Sequence, residues 1–271
     1  MREEFDLEKL IKEITDTDEL KEIVAYNHSE KNLKNCKSFE LLDQKYIQLQ
    51  KQYANSFHEL NKGIESKVCR REYAKGGERF HRGVHSPSIM DLVVGGVNRG
   101  RLLENVPKDN NYNYEYLFDA QNNLICVYSY SKFNDVSELV STELFVYQQN
   151  KILSLVFNPD EDHGLSYMSE CQYENGRLIR CENVLCDLFY GGKGCTEINV
   201  EIHEYIDNLL KSFHWYRYIP SIQLLDHQKF TFARDQEGYL STYIIEQIDG
   251  FKTETDFDYE QAIYNVRVKR K

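Results

Sequence analysis

From residue 112 onward the chain repeats one order of residues: an alternating run rich in Tyr, Phe, Val and Ile, a short polar turn, and a second alternating run. Tyr112 to Phe118 leads into Asp119-Ala120-Gln121-Asn122-Asn123 and out through Leu124 to Tyr130. Leu144 to Tyr147 precedes Asn150-Lys151-Ile152, Cys171 to Tyr173 precedes Asn175-Gly176-Arg177-Leu178, and Phe230 to Phe232 precedes Asp235 to Leu240. A period of two puts alternate side chains on one face of a strand, and Asn and Gly accept the positive φ of tight hairpin turns. The pattern restricts this part to sequential antiparallel hairpins, with turns expected at Asn122-Asn123, Asn150, Asn175-Gly176 and Gly238. The long gap between the last two units leaves room for another at Asp207-Asn208-Leu209, while Tyr205 to Lys211 also suits a helical turn.

Such a meander has an apolar face that needs a cover. Ahead of it, Leu42, Tyr46, Leu49, Tyr53, Phe57, Leu60, Ile64 and Val68 recur at helical spacing, with Ser38 placed to cap and Gly76-Gly77 to stop. One long amphipathic helix is expected near 38 to 73, after shorter helices carrying Leu7, Leu10, Ile11 and Leu20. The stripe averages nearer the 3.6 period than the 3.5 of a coiled-coil seam, which favours packing on the chain's own sheet over pairing with a second chain. The expected fold is therefore α+β: N-terminal helices packed on a C-terminal antiparallel β-meander. Its division is a helical segment 1–76, a basic connector 77–111 and a hairpin domain 112–271, together forming one compact unit.

Charge narrows the partners. The chain of 271 residues has 33 Lys and Arg against 44 Asp and Glu, a net charge of -11 that opposes general nucleic-acid binding. Residues 67 to 101 run against this trend with 8 basic and 3 acidic side chains, whereas residues 102 to 271 carry 15 and 27. No apolar run reaches the length of a membrane span, and MREEFDLEKL lacks the features of a signal peptide, so a cytoplasmic location is expected. Seven Cys in such a chain read as reduced thiols.

The stretches FDAQNNL, YENGRL and RDQEGYL resemble degenerate copies of the Y-D-x-x-G-x-L units of bacterial Rhs/YD-repeat proteins, and YENGRL is also similar to MORN-like repeats found in some toxin-immunity proteins. The resemblance spans residues 112 to 247 at most, and most copies lack the Gly. It implies a short cytoplasmic β-sheet protein from bacterial toxin and immunity systems.

Candidate chemistry is sparse. Arg with Gly suits phosphate, since guanidinium forks match oxyanions and glycine lets backbone amides approach. His81, Arg82, His85, Arg99 and Arg101 therefore form an alternative phosphate-binding set, for an enzyme acting on a phosphorylated or nucleotide substrate. The competing expectation is that the cations of this segment pair with the chain's own carboxylates. Gly191-Gly192-Lys193-Gly194 lacks the Ser or Thr of a phosphate loop. Cys171, Cys181, Cys186 and Cys195 lack CxxC spacing, so no metal and no cofactor is expected.

With 20 Tyr and 14 Phe against one Trp, part of the aromatic load must reach the surface of a meander. Tyr among carboxylates suits docking of a basic protein, because aromatics supply contact area and charge steers the encounter. Asp160, Glu161 and Asp162, with Asp235 and Glu237, are the candidate partner-binding residues. The reading that follows is a non-catalytic protein-binding protein, most specifically an immunity protein that neutralises a cognate toxin through an acidic, Tyr-rich surface.

Overall fold

The computed structural model describes residues 18–79, 100–105, 111–133, 136–159, 164–186, 195–250 and 261–268. Most of these residues form antiparallel sheet, accompanied by a few helices: α1 (Asp18–Asn27), α2 (Glu30–Tyr53), α3 (Phe57–Asn61) and α4 (Ile64–Lys67). The strands are β1 (Arg70–Lys75), β2 (Arg101–Leu103), β3 (Tyr114–Phe118), β4 (Leu124–Phe133), β5 (Val136–Gln148), β6 (Lys151–Phe157), β7 (Leu165–Glu174), β8 (Arg177–Cys186), β9 (Cys195–Ile206), β10 (Leu209–Ile219), β11 (Leu224–Arg234), β12 (Leu240–Asp249) and β13 (Gln261–Val268). Two compact units divide the chain, Met1–Leu42 with Tyr205–Lys271, and Asp43–Glu204. No helix among the described residues is long and apolar enough to cross a membrane.

The helix expected at 38 to 73 is corrected at both ends. It begins at Glu30, where Ser29 Oγ accepts the Asn32 backbone N–H at 3.2 Å and so satisfies one of the orphan donors of the first turn. Ser38 sits inside the helix, its hydroxyl donating to the Asn35 carbonyl. Beyond Tyr53 the stripe breaks into α3 and α4, with Gly63 at φ 80° between them, a left-handed conformation glycine adopts without a Cβ clash. Arg70–Lys75, whose first four residues fell inside the expected helix, is a strand: Arg70 lies opposite Phe118 and Ala74 opposite Tyr114.

The face that α2 buries is more polar than its apolar stripe suggests. Asn32, Cys36, Tyr46 and Gln50 are buried, while Leu41 is 71% exposed. Asn32, Cys36 and Tyr46 are tolerated there because each finds a partner. Asn32 Nδ2 donates to the carbonyls of Asn27 and Gln223, and its Oδ1 accepts the Leu225 N–H at 3.2 Å. A buried amide satisfied on both ends also fixes the position of the helix over that strand.

All the expected turns form. Asp119 and Asp235 build the same loop: each Oδ1 accepts two backbone amides, from Gln121 and Asn123 in one and from Glu237 and Tyr239 in the other, at 2.8 to 3.0 Å. The fourth residue is left-handed in both, Asn122 at φ 65° and Gly238 at φ 83°. Asn175-Gly176 is a two-residue turn with positive φ at both centres, the arrangement whose twist matches the strands it joins. Asp207-Asn208, at φ 49° and 65°, is a second one, so the ambiguous stretch from Tyr205 to Lys211 is a hairpin and not a helical turn.

Within Asp43–Glu204, β1 lies between β2 and β3, and β3 through β9 follow in sequence order. Tyr116, Phe118, Leu124 and Val127 pack with Ala74 in its core. In the other unit β10, β11, β12 and β13 also follow in order, with Phe213 and Phe230 stacked at 4.7 Å between ring centroids and Phe232 and Tyr243 beside them.

Candidate functional site

Of the alternative phosphate-binding set only Arg101 lies among the described residues, while Arg70 and Arg71 at the start of the same basic segment stand on β1 and are occupied. Arg71 is bound by Glu115 and by Glu65, and Arg70 by Glu72 and by Asn122 Oδ1 at 2.6 Å. The Arg70 guanidinium also stands 3.7 Å over the Phe118 ring, a stacking that its flat charge distribution favours. Arg101 opens the edge strand β2, opposite Lys75, and is exposed. His81, Arg82, His85 and Arg99 lie outside the described residues, as do Asp160, Glu161 and Asp162. Asp235 closes its own turn through the two amides described above, and Glu237 stands exposed at the tip of that hairpin.

A second charged cluster joins α2 to the sheet. Lys45 Nζ reaches Glu182 Oε2 at 2.7 Å and Glu170 Oε1 at 3.0 Å, while the Tyr46 hydroxyl donates to Glu182 Oε2 at 2.7 Å. Arg180 Nε donates to the other oxygen of Glu182. Burial alone would raise the Glu182 pKa, but Lys45, Tyr46 and Arg180 hold it below the ordinary value. Every oxygen of this carboxylate is satisfied from within the chain, which makes the cluster an anchor for the helix.

A group of tyrosines gathers at β1, the residues leading into β3, and β4, with Tyr73 buried and Tyr112, Tyr128 and Tyr130 partly exposed. Tyr73 and Tyr112 meet edge to face at 4.8 Å, and Tyr112 meets Tyr130 at 5.5 Å. At their centre is the buried carboxylate of Glu115, which accepts from Arg71, from the Tyr73 hydroxyl at 3.4 Å and from Tyr130. Tyr128 lies two positions before Tyr130 on β4, where its hydroxyl meets the Cys126 thiol. Burial raises the pKa of Tyr112, Tyr128 and Tyr130, and nearby carboxylates raise them further, so all three are neutral donors at neutral pH. Tyr112, Tyr128 and Tyr130 remain partly exposed, and Glu65 beside them is exposed. The result is an aromatic array held in shape by one internal carboxylate, with a further carboxylate at its margin.

The other unit holds a cleft of about 320 Å³ that the sequence did not signal. Lys34, Asn35, Ser38 and Phe39 of α2 face Tyr216, Leu225, His227 and Asp249 across it. His227 stacks on Tyr216 at 4.1 Å, and its Nε2 shares a hydrogen bond of 2.8 Å with His214 Nδ1. Burial and the neighbouring His214 lower the His227 pKa to about 4, with Asp249 opposing them. His227 Nδ1 lies 4.0 Å from Asp249 Oδ2, beyond hydrogen-bond reach, so the imidazole is hydrogen-bonded to His214 alone of these two groups. The two histidines are 13 residues apart, and only the antiparallel register of β10 and β11, which sets His227 opposite Tyr216, brings them together. No group of three or more metal-ligating side chains occurs among the described residues.

Comparison with protein-family models, with curated proteins and with solved structures finds no match to this chain. The functional reading therefore rests on the residues described above.

Proposed function

We propose that this is a protein-binding protein that docks a cationic partner on the tyrosine array of β1, β3 and β4, with the neutralisation of a bacterial toxin as its most specific form. The observation that carries the reading is the partly exposed group of Tyr112, Tyr128 and Tyr130 around Glu115, with the exposed Glu65 at the edge. Tyrosine is a favoured anchor of protein interfaces, because a rigid ring gives large contact area for little entropy and its hydroxyl satisfies a partner's polar groups. Net charge of -11 supports a cationic partner by raising its encounter rate.

The test is affinity capture on the full chain followed by titration of the captured partner. Tyr130→Ala is expected to weaken binding by about 30-fold, the size of an interface hot spot. Glu237→Lys is expected to slow association while leaving dissociation unchanged, since an exposed tip acts through steering. Co-expression with a toxin candidate then separates the narrow reading from the broad one: rescue of growth by the wild-type chain and loss of rescue by Tyr130→Ala support an immunity role. Equal affinity of Tyr130→Ala and wild type, with both folded by thermal melt, contradicts the docking site.

A further inference from the structure

We propose that Cys171 and Cys181 form an oxidative modification site, a vicinal dithiol across β7 and β8 that closes to a disulfide. The register sets the two residues directly opposite one another, and their Sγ atoms lie 3.5 Å apart. Directly opposed residues of an antiparallel pair have Cα atoms about 4.5 to 5.5 Å apart, inside the span of about 4.4 to 6.8 Å that a disulfide accepts. Cys171 and Cys181 are 0% and 2% exposed, so peroxide reaches them through local opening of the strands, and bond formation then requires the sulfurs to approach to about 2 Å.

The chemistry balances with a peroxide as oxidant. One thiolate attacks the O–O bond, becomes a sulfenic acid and releases water, its own proton having gone to the leaving oxygen. The second thiolate attacks that sulfur, the S–S bond forms and a second water leaves. Two thiols have then given two electrons to one peroxide.

A second opposed pair of cysteines lies one strand over. Cys186 of β8 lies opposite Cys195 of β9 in the same directly paired relation. Burial pushes the Cys186 thiol up to about 12, and burial together with the Asp43 carboxylate raises Cys195, whereas the proposal for Cys171 and Cys181 stands on the 3.5 Å approach of their sulfurs. Closure at Cys171 and Cys181 would tie the two strands that carry Glu170 and Glu182, the carboxylates that hold Lys45 of α2. Oxidation at this site thus stiffens the seat of the helix.

The experiment uses the full chain in a Cys69→Ser background, which removes an exposed thiol capable of joining two molecules. The folded, reduced protein is treated with hydrogen peroxide, then unfolded, alkylated and mapped by mass spectrometry. The expected result is a peptide pair linked through Cys171 and Cys181, absent in Cys171→Ser, retained in Cys126→Ser and reversed by dithiothreitol. The melting temperature is expected to rise on oxidation in the parent and not in Cys171→Ser. Full alkylation of both cysteines after treatment, or closure of Cys186 with Cys195 ahead of them, overturns the proposal.

Discussion

At the scale of single residues, the buried carboxylate of Glu182 and the imidazole of His227 set the response to acid. Glu182 is ionised more readily in the folded chain than free in water, so its contribution is present above the ordinary carboxylate range and is lost as pH falls through its depressed folded pKa. Replacing it by alanine leaves Lys45, Arg180 and the Tyr46 hydroxyl without their shared acceptor. Glu182→Ala is expected to cost about 3 kcal/mol at neutral pH, measured by urea denaturation. His227 acts in a higher window. Its folded pKa of about 4 lies below the ordinary imidazole value of 6.5, so the unfolded chain takes up the proton first and stability falls as pH drops from about 6.5 to about 4. His227→Gln is expected to flatten the melting temperature across that window, and an unchanged slope would assign it to other groups.

At the scale of elements, the hairpins were legible because their instructions are local. Asp119 and Asp235 each bind amides two and four residues ahead, so a short sequence contains the whole loop. Asp119→Ala and Asp235→Ala are accordingly expected to destabilise by about 1 to 2 kcal/mol each, and equally within error, which chemical denaturation of the two variants checks. Asp235 is thus a poor probe of docking, since its charge reversal would disturb the turn itself. The helix boundaries were less legible. Ser29 caps α2 from among polar neighbours, with no apolar run at its back to mark the start, while Ser38 mimics a cap inside the helix. Strand β1 was missed for another reason. Its partner β3 lies some 40 residues away, and the helix was drawn past the end of the stripe at Val68 to the nearest stop, Gly76-Gly77, because nothing local marks the pairing.

For the molecule as a whole, composition foretold a surface load of tyrosine but not its address. Tyr73, Tyr112 and Tyr130 come from separate stretches, and the sheet register alone collects them around Glu115. The His227 cleft was hidden in the same way, since neither His214 nor His227 sits in a motif. The sequence-derived division between basic and acidic regions also changes meaning in three dimensions: Arg70 and Arg71 are spent on Glu72, Glu65 and Glu115. What remains for a partner is aromatic area with a carboxylate margin, in line with the proposed docking of a cationic protein. Amide hydrogen exchange of the chain alone and in complex with its captured partner tests this most directly. The account predicts slower exchange concentrated at Tyr112 to Tyr130, with the Glu237 hairpin unchanged; protection confined to other strands, with residues 112 to 130 exchanging as in the free chain, would contradict it.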